Sequence, residues 1–355
     1  MTFPSLSCVP LEETQGMKTK IGIIGLGMAS APHARSLQDL KERVEVKAAF
    51  SPSVERRTAF AKAYGFPITD RSDAIFADPS IGAVLLLTPP NTHLDLVRRA
   101  SEAGKHILLE KPLEISRERA EQLVAAAEKA GIRLGIVLQH RFRPISVALA
   151  GLIREGRLGK IVSASARLYN WRPQSYYDQP GRGTRARDGG GVLLTQAIHT
   201  LDLMISLAGL PEEVTGYAVT SPVHRMETED LAFAAIKFAD GGIGTVSATT
   251  AAYPGIPDAV DVIGTKGMAR IEGARLIAHF HDGTEKIADD GALGGGAGAD
   301  PMAFPHQHHR AVIEDFLDAI EKDRDPAVTG REALKVHRLI AAILRSSETG
   351  ERAKV

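Results

Sequence analysis

The sequence predicts an α/β fold: an N-terminal Rossmann domain on a doubly wound parallel sheet, then a C-terminal α+β domain on an open, largely antiparallel sheet. Three observations support this prediction. Residues 20–30 read as a buried strand, a glycine turn and a helix, and the apolar run 106–109 leads directly into Glu110-Lys111-Pro112. After Arg143-Pro144, longer strands of alternating pattern replace the short aliphatic runs.

The composition is that of a two-domain globular protein. The chain has 355 residues, 44% hydrophobic and 24% charged, and one hydrophobic core seldom supports that length. Its formal net charge is +0, so we expect neither nucleic acid nor a membrane surface as a partner. A lone cysteine, Cys8, excludes an intramolecular disulfide. Because the sequence shows no signal peptide and no long apolar span, we expect a soluble, cytoplasmic protein.

Three segments are expected along the chain. Residues 1–17 are predicted to be a disordered extension, and residues 18–144 to form the dinucleotide-binding domain. Residues 145–355 are predicted to form the domain for substrate binding and oligomerisation, with the C-terminal helix packing back on the first domain. Helical segments alternate with aliphatic runs in the first domain, as a parallel sheet flanked by helices requires. Residues 291–300 are rich in glycine and predict a mobile loop.

The glycine turn carries the first candidate site. Gly25-Leu26-Gly27-Met28-Ala29-Ser30 matches the dinucleotide pattern G-x-G-x-x-G, with serine in place of the third glycine. Gly25 is expected to make the tight turn, and Gly27 to let the backbone approach a pyrophosphate. That group would lie with Met28 and Ala29 at the positive end of the following helix. We therefore predict a nicotinamide dinucleotide as the cofactor.

The residues after the second strand bear on the choice between NADP and NAD. An acidic residue at this position would bind the ribose diol of NAD, but Ser51 stands there. Without a carboxylate to repel it, a 2′-phosphate can bind Ser51 and Ser53 and pair with Arg56 or Arg57. NADP is therefore the preferred prediction and NAD the second. In the alternative interpretation, both arginines are solvated helix residues.

A stiff proline loop after the strand at 81–87 reaches the same edge of the sheet. It holds Thr88, Pro89, Asn91 and His93, and it is expected to pack along the cofactor. His93 either approaches the ribose or the nicotinamide, or only occupies the first turn of the next helix.

Taken together, the motifs resemble the Gfo/Idh/MocA oxidoreductase family, from about Lys20 to the C-terminus. The resemblance rests on the Gly25 turn, on Glu110-Lys111-Pro112, on the block 189–202 and on the closing segment 315–320. It implies an NAD(P)-dependent oxidoreductase that acts on a ring carbinol or carbonyl of a sugar, an inositol or a related polyol. It also implies a homodimer or homotetramer formed through the open sheet, and a cis bond before Pro112.

The block 189–202 contains the candidate catalytic histidine. On one continuous helix, Thr195, His199 and Asp202 would share a face. Imidazole is suited to taking up the hydroxyl proton when an alcohol loses hydride. Matched to the family motif, His199 is the catalytic acid and base, and Thr195 is a further candidate catalytic residue; we expect both to contact the substrate. Many family members have aspartate in place of Thr195, so Asp202 is expected to replace part of that charge.

Lys111 is the second candidate catalytic residue. Its ammonium group can donate a hydrogen bond to the reacting oxygen, stabilise alkoxide charge and lower the pKa of a nearby imidazole. We expect Lys111 to contact substrate and cofactor, and its neighbour Glu110 to contact the cofactor. The alternative is a salt bridge between the two, which the opposite orientation of neighbouring strand residues disfavours.

The segment before the glycine block bears on substrate recognition. Residues 171–187 contain four arginines and three large aromatic residues. Arginine binds carboxylates and phosphates in two-point contacts, and aromatic rings stack on sugars. Tyr177 and Arg182 are therefore predicted to bind an anionic sugar or nucleotide sugar. A charged lid over the site is an equal alternative.

Two alternatives to a sugar dehydrogenase stay open. One is a dihydrodiol or biliverdin-type reductase on the same scaffold. The other is a regulator that binds the dinucleotide without turnover, although the presence of both Lys111 and His199 disfavours it. No metal is expected, because His306, His308 and His309 have no carboxylate or cysteine spaced to complete a site. They are predicted to start a helix, with His309 as a weaker candidate for substrate contact.

Overall fold

The computed structural model of the protein describes residues 18–291 and 305–355. The predicted extension, 1–17, lies outside the described residues, and so does most of the glycine-rich stretch, 292–304. The described chain folds around two sheets, one parallel and one mixed.

Six parallel strands form the first sheet: β1 (Thr19–Ile24), β2 (Val44–Phe50), β3 (Ile68–Thr69), β4 (Ala83–Leu86), β5 (His106–Glu110) and β6 (Leu134–Val137). Their spatial order is β3-β2-β1-β4-β5-β6, so the order reverses between β1 and β4. Ligands of such sheets bind at the carboxyl ends of the strands, beside this reversal. Strands β4 and β5 are buried along nearly their whole length, as expected when helices cover both faces.

Five helices connect these strands: α1 (Ser30–Asp39), α2 (Val54–Tyr64), α3 (Ser72–Ala77), α4 (His93–Glu102) and α5 (Arg117–Lys129). Local chemistry determines several of their ends. The Ser53 and Ser116 hydroxyls accept hydrogen bonds from the backbone N–H groups of Arg56 and Arg119, and so cap α2 and α5. Gly65 ends α2 with a φ of 74°.

A nine-stranded sheet forms the centre of the second domain. Its strands are β7 (Ile161–Trp171), β8 (Glu213–Val219), β9 (Leu231–Lys237), β10 (Ile243–Thr249), β11 (Ala251–Gly264), β12 (Gly267–Glu272), β13 (Arg275–Phe280), β14 (Glu285–Asp289) and β15 (Ala353–Lys354). Their order is β14-β13-β12-β11-β7-β10-β9-β8-β15. All neighbouring pairs are antiparallel except β7 with β10. The predicted largely antiparallel sheet is confirmed.

The second half of the chain contributes six helices: α6 (Pro144–Arg154), α7 (Gln174–Tyr177), α8 (Val192–Thr195), α9 (Ile198–Ala208), α10 (Gln307–Glu321) and α11 (Gly330–Thr349). Helices α6, α9 and α11 pack on one face of the nine-stranded sheet. Within the described part of the chain, none of the helices combines the length and the apolar character needed to cross a bilayer.

The other face of this sheet is open and partly apolar. Tyr217 lies directly opposite Phe233 on the neighbouring strand, and Ile263 lies opposite Met268. Side chains directly opposite one another share a face of the sheet. The exposed apolar side chains of this open face are Tyr217, Val219, Phe233, Ile243, Ile263, Met268 and Ile287.

The last two long helices return to the first domain. On α10, Val312, Ile313, Phe316 and Leu317 are buried in one cluster with apolar residues of β1 and α1. Helix α11 contacts both α5 and β8, and so touches both domains. The contacts of residues 145–355 with the first domain therefore involve two helices, α10 and α11.

Candidate active site

The glycine turn between β1 and α1 has an open side. Gly25 has a φ of 105°, and a Cβ there would lie 2.6 Å from the Leu87 carbonyl, so only glycine fits. A Cβ at Gly27 would meet no atom within 4 Å, which leaves this backbone open to a pyrophosphate. Met28 is 49% exposed, and Ala29 directly precedes α1. The turn therefore has the shape that the predicted dinucleotide needs.

The end of β2 brings two serines and two arginines together. Ser51 is buried, and the Arg57 guanidinium donates to its carbonyl at 2.5 Å. The Ser53 hydroxyl donates to the Glu55 carboxylate at 2.7 Å, a contact that was not predicted. Arg56 is exposed on the first turn of α2 and has no ion pair among the described residues. Of the two arginines, Arg57 is therefore engaged with the backbone, and Arg56 has no ion pair in the described part of the chain.

The loop after β4 is held by its own hydrogen bonds. The Thr92 hydroxyl lies 2.8 Å from both the Thr88 hydroxyl and the Pro89 carbonyl, so it ties the loop together and does not cap α4. Pro89 is exposed, and Asn91 is half-buried in a 3₁₀ turn. Thr88, Pro89 and Asn91 therefore lie at the carboxyl edge, where a cofactor of this fold binds.

His93 is a structural residue, which corrects its predicted approach to the ribose or nicotinamide. Its side chain is fully buried, and burial lowers its pKa. Nε2 lies 2.9 Å from the Thr88 carbonyl, and Nδ1 lies 3.1 Å from the carbonyls of Pro112 and Leu113. The ring therefore joins the loop after β4 to the loop after β5 and presents no surface to a ligand.

Glu110 and Lys111 point away from each other at the end of β5. The Glu110 carboxylate is buried, with Oε1 3.0 Å from His33 Nε2, and Oε2 accepts from the Lys111 backbone N–H at 2.9 Å. Burial would raise the pKa of Glu110, but His33 and Lys111 hold it below its usual value. The alternative salt bridge between the two side chains does not form. The carboxylate supports the strand end, so only a small part of it is left for the predicted cofactor contact.

The Lys111 ammonium reaches the second domain. It donates to the Thr195 carbonyl at 2.8 Å. Burial lowers the pKa of Lys111, Glu110 opposes this effect, and the charges of Arg182 and Arg172 add to it. The peptide bond between Lys111 and Pro112 is cis, as the resemblance implies. Lys111 is half-buried, and a partly desolvated cation stabilises a developing alkoxide more strongly than a fully hydrated one.

The predicted single helix through Thr195, His199 and Asp202 is two helices in the structure. Helix α8 ends at Thr195, and α9 begins at Ile198. The Thr195 hydroxyl donates to the Gly191 carbonyl at 2.6 Å, while its own carbonyl accepts from Lys111. The contact of Thr195 with the candidate site therefore runs through its backbone, which corrects the shared helix face.

Asp202 does not support His199, contrary to the prediction. It is buried and bound by Arg141 in a two-point ion pair, with N–O distances of 2.7 and 2.6 Å. Arg141 also donates to Glu332 on α11 at 3.2 Å. This network joins the turn after β6 to α9 and α11, so the Asp202 carboxylate has a structural role.

His199 lies half-buried in the first turn of α9. Burial and the nearby charges of Lys111, His140 and His309 lower its pKa well below the usual value. Its Nδ1 is buried and has no hydrogen-bond partner among the described residues, which leaves Nε2 for proton exchange. At neutral pH the ring is therefore in the neutral, proton-accepting form that alcohol oxidation needs.

His140 was not among the residues predicted from the sequence. It lies in a 3₁₀ turn after β6, and its ring centroid is 5.0 Å from that of His199. Its Nδ1 is 3.7 Å from Asp258 Oδ2. Burial lowers the pKa of His140 to about 4, although Asp258 acts in the other direction. A signal was available, because His140, like Lys111, follows an apolar strand at the carboxyl edge of the sheet.

Of the two residues of segment 171–187 that were predicted to bind substrate, Tyr177 is buried and Arg182 is half-buried. Tyr177 is buried and shares a 2.7 Å hydrogen bond with Thr250, and burial raises its pKa. Arg182 is half-buried, lies over the Tyr176 ring and donates to its hydroxyl at 3.0 Å. Burial lowers the pKa of Lys111, and the charge of Arg182 adds to this effect.

Arg185 lies elsewhere. It is exposed and lines a separate cavity of about 180 Å³ together with Glu227 and Glu229. Its backbone N–H donates to Glu227 at 3.0 Å. The arginines of this segment therefore do not form one cluster, and Arg185 serves as a natural comparison for Arg182.

His309 lies beside a carboxylate, which was not expected from the sequence. His33, Glu110 and His309 are buried and bring one possible ligand atom each to within 4.8 Å of one another. The two imidazoles meet edge to face at 5.0 Å, and burial lowers the pKa of His309 to about 3. The Lys111 charge acts on both Glu110 and His309, and a positive charge opposes a bound cation. The absence of a metal therefore stays our prediction.

Two family profiles match this chain. The profile described as "Oxidoreductase family, NAD-binding Rossmann fold" matches residues 19–137, which span the parallel sheet. The profile described as "GFO/IDH/MocA C-terminal domain" matches residues 147–270. Both domains of the predicted family are therefore found, in the predicted order.

Individual proteins are similar over almost the full length. The inositol 2-dehydrogenase of Rhizobium meliloti (strain 1021) is 28% identical, with coverage of 93% of this chain and 97% of the relative. The 1,5-anhydro-D-fructose reductase of Ensifer adhaerens is 27% identical, with coverage of 88% and 91%. The WlbA dehydrogenase from Bordetella pertussis, solved in complex with NADH and UDP-GlcNAcA, is 27% identical, with coverage of 95% and 99% and a TM-score of 0.81. This chain therefore belongs to the Gfo/Idh/MocA family and is an NAD(P)-dependent oxidoreductase.

Proposed function

We propose that this enzyme moves hydride between nicotinamide C4 and a ring carbinol or carbonyl of a sugar, an inositol or a related polyol. The observation that supports the proposal is a hydrogen bond between Lys111, directly after β5 at the carboxyl edge of the parallel sheet, and the backbone that leads to His199. Lys111 binds the backbone of Thr195, four residues before His199, and its charge lowers the pKa of that imidazole. The names of two relatives, inositol 2-dehydrogenase and 1,5-anhydro-D-fructose reductase, denote substrates of this class.

The proposed chemistry divides the work between these two side chains. When bound at the glycine turn, the nicotinamide cofactor accepts or supplies hydride at C4. In oxidation, His199 takes the hydroxyl proton as the carbinol carbon loses hydride. Lys111 donates a hydrogen bond to the reacting oxygen and stabilises its negative charge. In reduction, protonated His199 returns the proton to the oxygen as the carbonyl carbon receives hydride.

NADP is the proposed preferred cofactor, with NAD as the second. The support is the end of β2, where a buried serine, Ser51, stands in place of an acidic residue, and where Arg56 is free to pair with a 2′-phosphate. The Glu55 carboxylate is held by Ser53 at 2.7 Å and opposes that phosphate. We therefore expect the preference for NADP to depend mainly on Arg56.

An anionic group on the substrate is the finer proposal for specificity. The support is the pair Arg182 and Arg172, whose charges both lower the pKa of Lys111, while Glu110 and Asp188 act in the other direction. A solved relative was crystallised with UDP-GlcNAcA, which is an anion. If Arg182 forms only part of a charged lid, its removal will change KM equally for neutral and anionic substrates.

The open face of the nine-stranded sheet is proposed to form a homodimer or homotetramer. It carries seven exposed apolar side chains in the described chain, among them Tyr217 and Phe233. Exposed apolar side chains that share one face of a sheet are typical of a protein interface.

The test is a turnover assay of the purified protein, followed by the absorbance of reduced nicotinamide. The panel holds inositols, aldoses, sugar acids, biliverdin and an aromatic dihydrodiol, each with NAD(H) and NADP(H). We expect turnover with a polyol or sugar, and its loss in His199→Ala. Turnover restricted to biliverdin or the dihydrodiol supports the reductase alternative. Dinucleotide binding without any turnover is what the regulator alternative predicts.

A further inference from the structure

A second imidazole lies against His199. The His140 and His199 rings are inclined by 31°, with centroids 5.0 Å apart. His140 belongs to the turn that follows β6 of the first domain, and His199 belongs to α9 of the second. Both Nδ1 atoms are buried and lack a hydrogen-bond partner among the described residues. Two like groups this close cannot titrate independently.

A carboxylate lies beside His140. The Asp258 Oδ2 atom on β11 is 3.7 Å from His140 Nδ1. The Thr200 hydroxyl, one residue after His199, donates to the same oxygen at 2.8 Å. Asp258 is therefore held in place by the helix that carries His199, while its charge faces the other imidazole.

We propose that His140, supported by Asp258, is a positioning residue for the proton chemistry of His199: it takes the first proton that the pair binds, and that proton then disfavours a second one on His199. The inference rests on the proposed role of His199 as acid and base.

The charges around the two rings differ in sign. The groups that act on His199 are Lys111, His140 and His309, and each is positive when protonated. His140 also has cationic neighbours, but the negative charge of Asp258 favours the imidazolium form of His140. A proton that enters the pair therefore goes to His140 first. Once it is there, a second proton on His199 meets a like charge about 5 Å away and is disfavoured.

The remaining groups that face His140 are Arg143, His308 and Lys111. All three oppose its protonation, so only Asp258 among these neighbours favours it. Removal of the Asp258 carboxylate should therefore make His140 harder to protonate while both imidazole rings stay in place.

The experiment is an NMR titration of the full-length protein with ¹³C/¹⁵N-labelled histidine. The His199 signal is identified by its loss in His199→Gln. In His140→Phe, which keeps an aromatic ring against His199, the His199 midpoint should rise by roughly 0.5–2 pH units, the effect of one unit charge at this distance in a partly screened site. In Asp258→Asn it should rise in the same direction by a smaller amount.

Two variants serve as matched controls. Asp261→Asn removes a carboxylate from the same strand, but one that binds Arg270 at 2.5 Å. His279→Phe removes an exposed imidazole on β13. Neither should move the His199 midpoint. If His140→Phe does not fold, as judged by circular dichroism, Asp258→Asn decides alone.

The proposal is overturned if the His199 midpoint is unchanged in both His140→Phe and Asp258→Asn. It is also overturned if His199 stays neutral down to acid unfolding in the wild type and in both variants. A wild-type His199 that stays neutral to that limit, but titrates at higher pH in His140→Phe, supports it. The titration needs no substrate, so absence of turnover on the panel counts against the proposed function and not against this pair.

Discussion

The Lys111 ammonium donates a hydrogen bond to the Thr195 carbonyl at 2.8 Å, and this bond joins the end of β5 to the end of α8. The chain then passes through the break between α8 and α9 and reaches His199 in the first turn of α9. The cation proposed to stabilise the reacting oxygen therefore also fixes the backbone that leads to the proposed base. A change at Lys111 should thus affect both groups.

Lys111→Met is expected to lower kcat by roughly 10²–10³-fold, the usual cost of removing a group that stabilises transition-state charge. It should also change the pH profile of oxidation. His199 must be neutral to accept a proton, and the Lys111 charge lowers its pKa. Without that charge the pKa rises, so the acid limb of the profile moves to higher pH. Lys111→Arg keeps the charge and should leave the acid limb at its wild-type pH. If Lys111→Met and Lys111→Arg have the same acid limb, the proposed effect of the Lys111 charge on His199 is contradicted.

His199→Ala is expected to lower turnover by roughly a hundredfold or more, because a general acid–base group typically contributes that much. Cofactor affinity should stay nearly the same, because His199 lies on α9 and not at the glycine turn. The measurements are kcat on the best substrate of the panel and the dissociation constant for the dinucleotide. His279→Ala, at an exposed imidazole, should match the wild type in both. Near-wild-type turnover of His199→Ala defeats the proposed role.

The fold could be predicted from the sequence because its signals are local. Buried aliphatic runs, a glycine turn and capping serines each act within a few residues, and the two-sheet architecture follows from them. The start of α8 could not be predicted in this way. Directly before α8, Gly191 packs so closely against the Glu229 carbonyl that a Cβ would not fit, and this contact partner lies on another part of the chain.

The wrong predictions about the site also arise from contacts that local sequence does not indicate. Asp202 is held by Arg141, which is 61 residues away in sequence, so its helical position did not indicate its partner. Tyr176 and Tyr177 are neighbours of the same type, and only tertiary packing makes Tyr177 the buried one. His140 is different: it occupies a strand end, the place that pointed to Lys111, and applying the same rule to β6 would have found it.

The cofactor preference is expected to depend on the end of β2. Ser51→Asp places a carboxylate where a 2′-phosphate would bind, so NADP affinity should fall by roughly tenfold or more and NAD affinity should rise or hold. Arg56→Ala should weaken NADP selectively. Arg57→Ala is the matched control, since the Arg57 guanidinium is already bound to the Ser51 carbonyl. Calorimetric titration of each variant with both cofactors measures this, and a wild-type preference for NAD of tenfold or more refutes the NADP proposal.

The oligomeric state is expected to depend on the open sheet face. Phe233→Glu puts a charge among apolar neighbours that include Tyr217 directly opposite, so association should weaken and the measured mass should move toward that of one chain. Val54→Glu makes the same kind of change at an exposed site on α2 and should have no effect. Light scattering after size-exclusion chromatography gives the mass. A wild-type monomer, or a Phe233→Glu variant with the wild-type mass, rules this interface out.

The anionic-substrate proposal predicts different outcomes for two arginines only three residues apart. Arg182 acts on Lys111, whereas Arg185 lines a separate cavity with Glu227. Arg182→Ala should therefore raise KM for a sugar acid by about ten- to a hundredfold, the range expected for a lost charge-assisted hydrogen bond, and change KM for the neutral analogue much less. Arg185→Ala should leave both values near the wild type. If Arg182→Ala raises KM equally for the acid and for the neutral sugar, this segment acts as a lid, and the anionic group should be dropped from the proposed substrate.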